Sequence, residues 1–203
     1  IHHPRLFGVL VGSSSKSRKG TSTAPVNKLF EALPESHPRA MISPGPLSSG
    51  EGLIWAVRDP IYRWKVDNKT NKGEWVMDDP GAEDKRLFIQ DEELAAALQC
   101  TKREGNTLSS IIRCAYDGGK IEPLTKNNRI AATDAHIAIL THITQYELYK
   151  ILDQSEAFNG FANRFIWLSV TRKQLVPMPK PMSNYMLAQF AERLKDAIQA
   201  GQK

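Results

Sequence analysis

Residues 12–22 read GSSSKSRKGTS, directly after the apolar run LFGVLV. A loop that holds phosphate needs small residues whose backbone N–H groups close around oxygens, and a helix N-terminus aimed at the same point. It also needs a lysine for the outer phosphates and a Ser/Thr hydroxyl for magnesium. Gly12 ends the apolar run, Ser13, Ser14, Ser15 and Ser17 are small, and Lys16, Arg18 and Lys19 are basic. Gly20, Thr21 and Ser22 then open a helical stretch, with Thr21 as the hydroxyl for magnesium. The segment departs from the pattern G-x-x-x-x-G-K-[ST]. The spacing from Gly12 to Lys19 is longer by one, Arg18 stands where the second glycine is expected, and Gly20 separates Lys19 from Thr21. Nucleotide kinases tolerate a similar K-G-T ending, and the plainer alternative is a basic, Ser-rich surface turn.

Hydrolysis of a nucleotide asks for further groups. An acid at the end of a neighbouring strand holds magnesium, often through water. KRLFIQDEE (85–93) supplies Asp91, with Glu92 as second choice, although acids after a strand also serve as helix N-caps. A carboxylate must orient or deprotonate the attacking water. SSGEGL (48–53) puts Glu51 in a Gly-flanked turn, where the alternative is a solvated loop residue. A polar group at the end of a central strand can sense the γ-phosphate. LTHITQ (140–145) offers His142, Thr144 and Gln145 for that role. A histidine at such a place is otherwise a satisfied core side chain.

These residues need elements to hold them. RLFGVLVG (5–12) is a continuous apolar run ending in Gly, as in a buried parallel strand. Helical spacing follows over 21–33, closed by Pro34 and Pro38. A short strand is expected over 39–45 and a helix over 51–59, closed by Pro60. Residues 61–79 read as two strands around an Asn/Lys/Gly turn, a hairpin insertion. A strand over 85–93, helices over 91–104 and 107–119, and a strand over 135–144 come next. A short helix over 146–154 and a strand over 164–172 follow, then a Pro-rich connector and an amphipathic helix over 184–200. Strands alternating with helices argue for an α/β fold with a mostly parallel sheet flanked by helices.

The 203 residues suffice for one domain with a full apolar core. A hydrophobic content of 41% and a charged content of 24% are those of a soluble globular protein. The net charge of +5 and a pI near 9.2 fit a nucleic-acid partner. Cys100 and Cys114 have no metal-ligand or redox spacing, so a reducing, cytoplasmic setting is expected. No apolar stretch reaches the ~18 residues that span a membrane. The first residue is Ile1 and the first strand begins almost at once, so the chain reads as a piece of a longer protein.

The strings VGSSSKSRKGTS, GPLSSGEGLIWAVRD, EDKRLFIQDEELAAAL, EGNTLSSIIRCAYDGG and NGFANRFIWL resemble the ATPase region of primase–helicase proteins of phages, plasmids and integrated elements. That family belongs to the RecA-like, hexameric DnaB/RepA-type helicases, and the resemblance covers about residues 5–180. It implies a RecA-like P-loop domain over 1–180 and a C-terminal helix within 181–203. It also implies ATP and Mg2+ as cofactors, a hexameric homo-oligomer hydrolysing ATP at its subunit interfaces, single-stranded DNA as the track, and a primase segment on the same longer chain. Carried over by position, Lys19 and Thr21 would contact phosphate and magnesium, and Glu51 would be the catalytic carboxylate. Asp91 would be the strand-end acid, Gln145 or His142 the sensor, and Arg164 the arginine acting across the interface, with Arg172 as runner-up.

Single-strand binding wants basic residues and aromatics along one groove. The hairpin offers Arg63, Lys65, Lys69 and Lys72 with Tyr62, Trp64 and Trp75; the alternative is a solvated hairpin pinned to the core by tryptophan. The loop 153–163 is a second place for DNA. Two other readings compete with the motor: a nucleotide- or DNA-binding module of a mobile element that does not hydrolyse ATP, and a small-molecule kinase.

Overall fold

The computed structural model describes residues 5–13, 19–33, 41–43, 46–67, 71–123, 130–151, 160–171, 176 and 180–200; over 19–22 and 41–43 it describes the backbone. In chain order the elements are β1 (Phe7–Gly12), α1 (Lys19–Glu31), β2 (Met41–Ser43), α2 (Gly50–Ala56), β3 (Ile61–Val66), β4 (Gly73–Asp79) and β5 (Arg86–Asp91). Then come α3 (Leu94–Thr101), α4 (Leu108–Asp117), β6 (His136–Thr144), α5 (Gln145–Ile151), a 3-10 turn (Ala162–Arg164), β7 (Ile166–Val170) and α6 (Asn184–Ala200).

Five strands form one sheet in the order β2-β5-β6-β1-β7, and every neighbouring pair is parallel. The fold is therefore mixed α/β with helices on a parallel sheet, compatible with a Rossmann-like or RecA-like core. From β1 the chain crosses to the β2 edge, whereas every later crossover runs the other way. Right-handed connections then put α1 on one face and the following helices on the other. The packing agrees. Phe30 of α1 meets Phe88 of β5, and α1 packs against α6. On the opposite face Phe7, Val9, Leu87, Ile89, Ile137 and Ile139 form the core with α2, α3 and α4. Because the connections leaving β1 and β6 diverge to opposite faces, their carboxyl ends flank a topological switch point. That is where open α/β sheets bind ligands.

β3 and β4 form a separate antiparallel ribbon with a bulge at Ile61/Tyr62. Its base is clamped to the body. The Arg58 guanidinium donates to Asp79 at 3.0 and 2.8 Å and stacks on Trp55. Lys85 and Thr133 both donate to Asp59. Burial works to raise the Asp59 pKa, but the bonds from Lys85 and Thr133 outweigh it and hold the carboxyl below its ordinary value. Bonds from Arg58 and Gly81 hold Asp79 down as well.

Several element ends differ from the sequence reading. β7 begins at Ile166 rather than residue 164, because Phe165 N donates to the Ala162 carbonyl at 3.2 Å and closes a 3-10 turn before it, with Trp167 Nε1 donating to the same carbonyl at 2.9 Å. α4 stops at Gly118, whose φ of +80° is left-handed. α3 starts at Leu94, because the Asp91 carboxylate holds the Glu93 N–H just ahead of it. The tryptophans of the ribbon do not pin it to the core: Trp64 and Trp75 are both exposed.

Candidate functional site

At the carboxyl edge of the sheet Gly12 sits between Thr144 of β6 and Val170 of β7, and it is buried. Ser13, after Gly12, is exposed, and the first turn of α1 carries no acid. Ser14, Ser15, Lys16, Ser17 and Arg18 lie outside the described residues. Lys19, Gly20, Thr21 and Ser22 form the start of α1. A helix start following a glycine at a switch point suits an anion.

Four polar side chains are buried among the described residues: Gln90, Asp91, Thr141 and His142. All lie near the ends of β5 and β6; β6 is beside β1, and β5 is one strand further from it. Strand alternation divides them. Gln90 and His142 face α1, while Asp91 and Thr141 face α2 and α4. The same alternation separates the two acids expected to serve magnesium. Asp91 is level with Thr141 and Val9, three residues below Gly12, roughly 10 Å at strand rise. Its Oδ2 accepts from Leu47 N at 3.1 Å and its Oδ1 from Glu93 N at 2.9 Å. Asp91 thus ties the β2–α2 loop to the start of α3. Glu92 is exposed and reaches α1, accepting from the Thr23 hydroxyl at 3.2 Å. Of the two, Glu92 is the acid beside the helix that follows the Ser-rich loop.

Glu51 lies in the first turn of α2, capped by Ser49 Oγ accepting from Gly52 N at 3.0 Å. Its Oε1 accepts from the Thr107 hydroxyl at 2.9 Å. Thr107 occupies the N-cap of α4, yet its side chain does not cap that helix. Asn106 Oδ1 takes the Leu108 N–H instead, so the Thr107 hydroxyl is spent on Glu51. Gly50 makes this approach possible. A Cβ there would lie 2.5 Å from Thr107 Oγ1 and 2.7 Å from Ile111 Cγ1. The strings GPLSSGEGL and EGNTLSS are therefore two sides of one helix–helix contact, and Thr107 is a site residue that the sequence reading did not single out.

Thr144 caps α5 through a reciprocal pair with Glu147. Its backbone N–H and its hydroxyl both donate to Glu147 Oε2, at 3.1 and 2.7 Å, and its hydroxyl accepts from Glu147 N at 3.1 Å. Gln145, the first residue of α5, is exposed on this edge, and His142 is buried one strand layer below it. Beyond them Tyr146 and Tyr149 are strongly exposed. Of the loop 153–163, residues 160–163 are described.

Arg164 is placed elsewhere. It ends the 3-10 turn before β7, next to the amino edge of the sheet, where Ile166 pairs with Gly8. Its guanidinium donates to Asp117 at 3.3 and 2.7 Å and to the Gly160 carbonyl at 2.8 Å. Arg172 lies outside the described residues. On the ribbon Arg63 donates to Asp78 at 2.8 Å and Lys65 is opposite Glu74. Lys72 is exposed and Lys69 lies outside the described residues.

No protein-family model matches the chain, and no curated protein matches it in sequence. Among the described residues no three His, Cys, Asp or Glu side chains gather as a metal site, and no helix is long and apolar enough to cross a membrane. A groove between the end of α1 and α6, beside Leu33, Leu187 and Ala191, sits at the far end of α1 from Gly12. What the carboxyl edge offers chemically is an acid-free helix start, an acid on each face of the sheet, and a half-buried glutamate held by a hydroxyl.

Proposed function

We propose that this chain is the ATP-hydrolysing motor domain of a RecA-like, DnaB/RepA-type helicase from a mobile-element primase–helicase, working as an oligomeric ring on single-stranded DNA. One observation carries the reading: the four buried polar side chains among the described residues lie near the carboxyl ends of β6, the strand beside Gly12, and of β5 next to it, on the edge that holds the sheet's switch point. A sheet that served only as scaffold would fill those positions with apolar side chains.

The residues fit a nucleotide phosphate with magnesium. The acid-free start of α1 favours negative charge. Thr141 Oγ1 is fully buried beside Asp91 and has no hydrogen-bond partner among the described residues. In this reading Lys19 and Thr21 hold phosphate and metal, with Glu92 or Asp91 as the strand-end acid. When bound, magnesium neutralises charge on the phosphates. Glu51 orients the attacking water, and Gln145 or His142 responds to the γ-phosphate.

A second reading has its own support. The Glu51 carboxylate is engaged by Thr107, and both Asp91 oxygens accept backbone N–H groups. Such engagement suits a nucleotide-binding module of a mobile element without turnover. Single-turnover hydrolysis of ATP, with and without single-stranded DNA, separates the two. The motor reading expects DNA-stimulated turnover. It also expects Glu51→Gln to bind ATP within a few-fold of wild type while turning over roughly 10²-fold more slowly. Binding without turnover in the wild-type chain would favour the module.

A further inference from the structure

The ribbon β3–β4 segregates its side chains by face. Tyr62 pairs with Met77, Trp64 with Trp75 and Val66 with Gly73, so these residues share one face. Arg63, Lys65, Glu74 and Val76 share the other, and Asp78 pairs with Arg63 there. The first face holds no charged residue, yet its side chains are 46–67% exposed, Trp75 the most. Trp64 and Trp75 meet edge to face with centroids 5.4 Å apart, and the Trp64 ring lies over Gly73, where a Cβ would come within 2.1 Å of it. This face is thus internally packed and uncovered. A two-stranded ribbon with no cover is marginally stable in water.

We infer that this face is a self-association surface, on which the ribbon of a second copy of the chain packs face to face. The composition argues for protein over nucleic acid. Interface cores are rich in Trp, Tyr and Met and poor in charge, whereas nucleic-acid surfaces are strongly positive. Here Arg63 and Lys65 point away from the aromatics and are matched by Asp78 and Glu74. A two-fold contact requires only that the face complement itself, and a flat, uncharged ribbon face meets that condition. The area agrees. At 150–250 Å2 for a whole aromatic side chain, the exposed fractions amount to on the order of 500 Å2 per copy. Two copies would bury roughly 1,000 Å2, the size at which a specific interface begins. The contact is expected to be concentration-dependent rather than obligate. It stands independently of the proposed motor.

Sedimentation equilibrium of the chain over roughly micromolar to hundred-micromolar concentrations tests the inference. The mass is expected to rise above the 22.7 kDa of one chain. Trp64→Ser combined with Trp75→Ser is expected to weaken that association at least about tenfold. Arg63→Ser with Lys65→Ser, on the other face, is expected to leave it unchanged. Iodide quenching of tryptophan emission in the wild-type chain supplies a measurement free of substitutions and is expected to fall as concentration rises. A chain that stays monomeric, or an association indifferent to both tryptophans, would overturn the inference. So would an unchanged mass in the tryptophan variant with lost binding of an oligo-dT, which would make the face a nucleic-acid platform.

Discussion

Replacing Gly50 with alanine sets two effects of opposite sign against each other. Within a helix alanine is favoured over glycine by about 0.5–1 kcal/mol, less in the first turn where Gly50 stands. Against this, the added Cβ would sit 2.5 Å from Thr107 Oγ1, 2.7 Å from Ile111 Cγ1 and 3.1 Å from Ile111 Cβ. Neither neighbour is a flexible chain end, because both are branched at Cβ and the Ile111 side chain is buried. Overpacking of this kind costs about 1–3 kcal/mol, and moving Thr107 also loosens its bond to Glu51. The net expectation is a loss of about 1–2 kcal/mol, or a few degrees in Tm at about 2–4 °C per kcal/mol for a domain of this size. Gly52 is the internal control. It lies in the same turn, and its Cβ would meet only Ser49 Oγ, at 3.1 Å. Gly52→Ala should stay within about 0.5 kcal/mol of wild type. Urea unfolding of both variants decides. If Gly50→Ala is as stable as Gly52→Ala, helices α2 and α4 do not meet as described, and Thr107 does not hold Glu51.

Lys19→Ala is expected to weaken ATP binding at least about tenfold with the circular dichroism unchanged; unchanged affinity in a titration with labelled nucleotide would move the phosphate site to Lys16. The folded-state pKa of Asp59 lies below its ordinary value of 3.8, so its contribution to stability is present above about pH 4 and is lost as pH falls through the folded value. Asp59→Asn should therefore flatten the decline of the urea midpoint between about pH 5 and pH 3, and an undiminished slope would remove Asp59 as a cause. Mixing an excess of Arg164→Ala subunits with Lys19→Ala subunits should restore hydrolysis if Arg164 acts across an interface. Mixed particles that stay inactive would pass the role to Arg172.

The elements were legible where apolar periodicity is strong. β1 and β6 follow from apolar runs and α6 from its amphipathic spacing, and the Asn/Lys/Gly turn marked the ribbon. What escaped the sequence was decided by partners far along the chain. Asp91 and Glu92 are adjacent acids, and a strand flips faces with every residue. Which of them meets α1 depends on where α1 packs, and Thr23, 69 residues away, answers for Glu92. Glu51 reads in the sequence as a residue of a Gly-flanked turn, a catalytic carboxylate or a solvated side chain, and its bond to Thr107 is not legible there because that partner is 56 residues distant. The ribbon misled in another way. Alternation normally marks one face for the core, but here both faces of the ribbon are exposed, the apolar one included.

Arg164 shows how the two edges of the sheet constrain the site. β7 rises from Ile166 beside Gly8 to Val170 beside Gly12. At about 3.3 Å per residue, Arg164 starts well over 10 Å below the edge that holds Gly12. A guanidinium at that level does not serve its own subunit's phosphates, so any catalytic part for it lies in a neighbour's site. Three of its five N–H donors go to Asp117 and the Gly160 carbonyl. Gly160 has a φ of +78°, and a Cβ there would come within 2.9 Å of Arg164 Nη1, so the turn itself is shaped around the guanidinium. Asp117 is more than half exposed and Arg164 only about a quarter. An exposed partner adds at most about 1 kcal/mol, which a charge-assisted contact with a phosphate across an interface exceeds. Asp117 is thus the weaker, exposed partner, whereas the Gly160 turn fixes where the arginine starts. The string NGFANRF therefore has a complete structural reason within one chain, and a catalytic one only where a second chain brings its Gly12 edge to the amino end of β7.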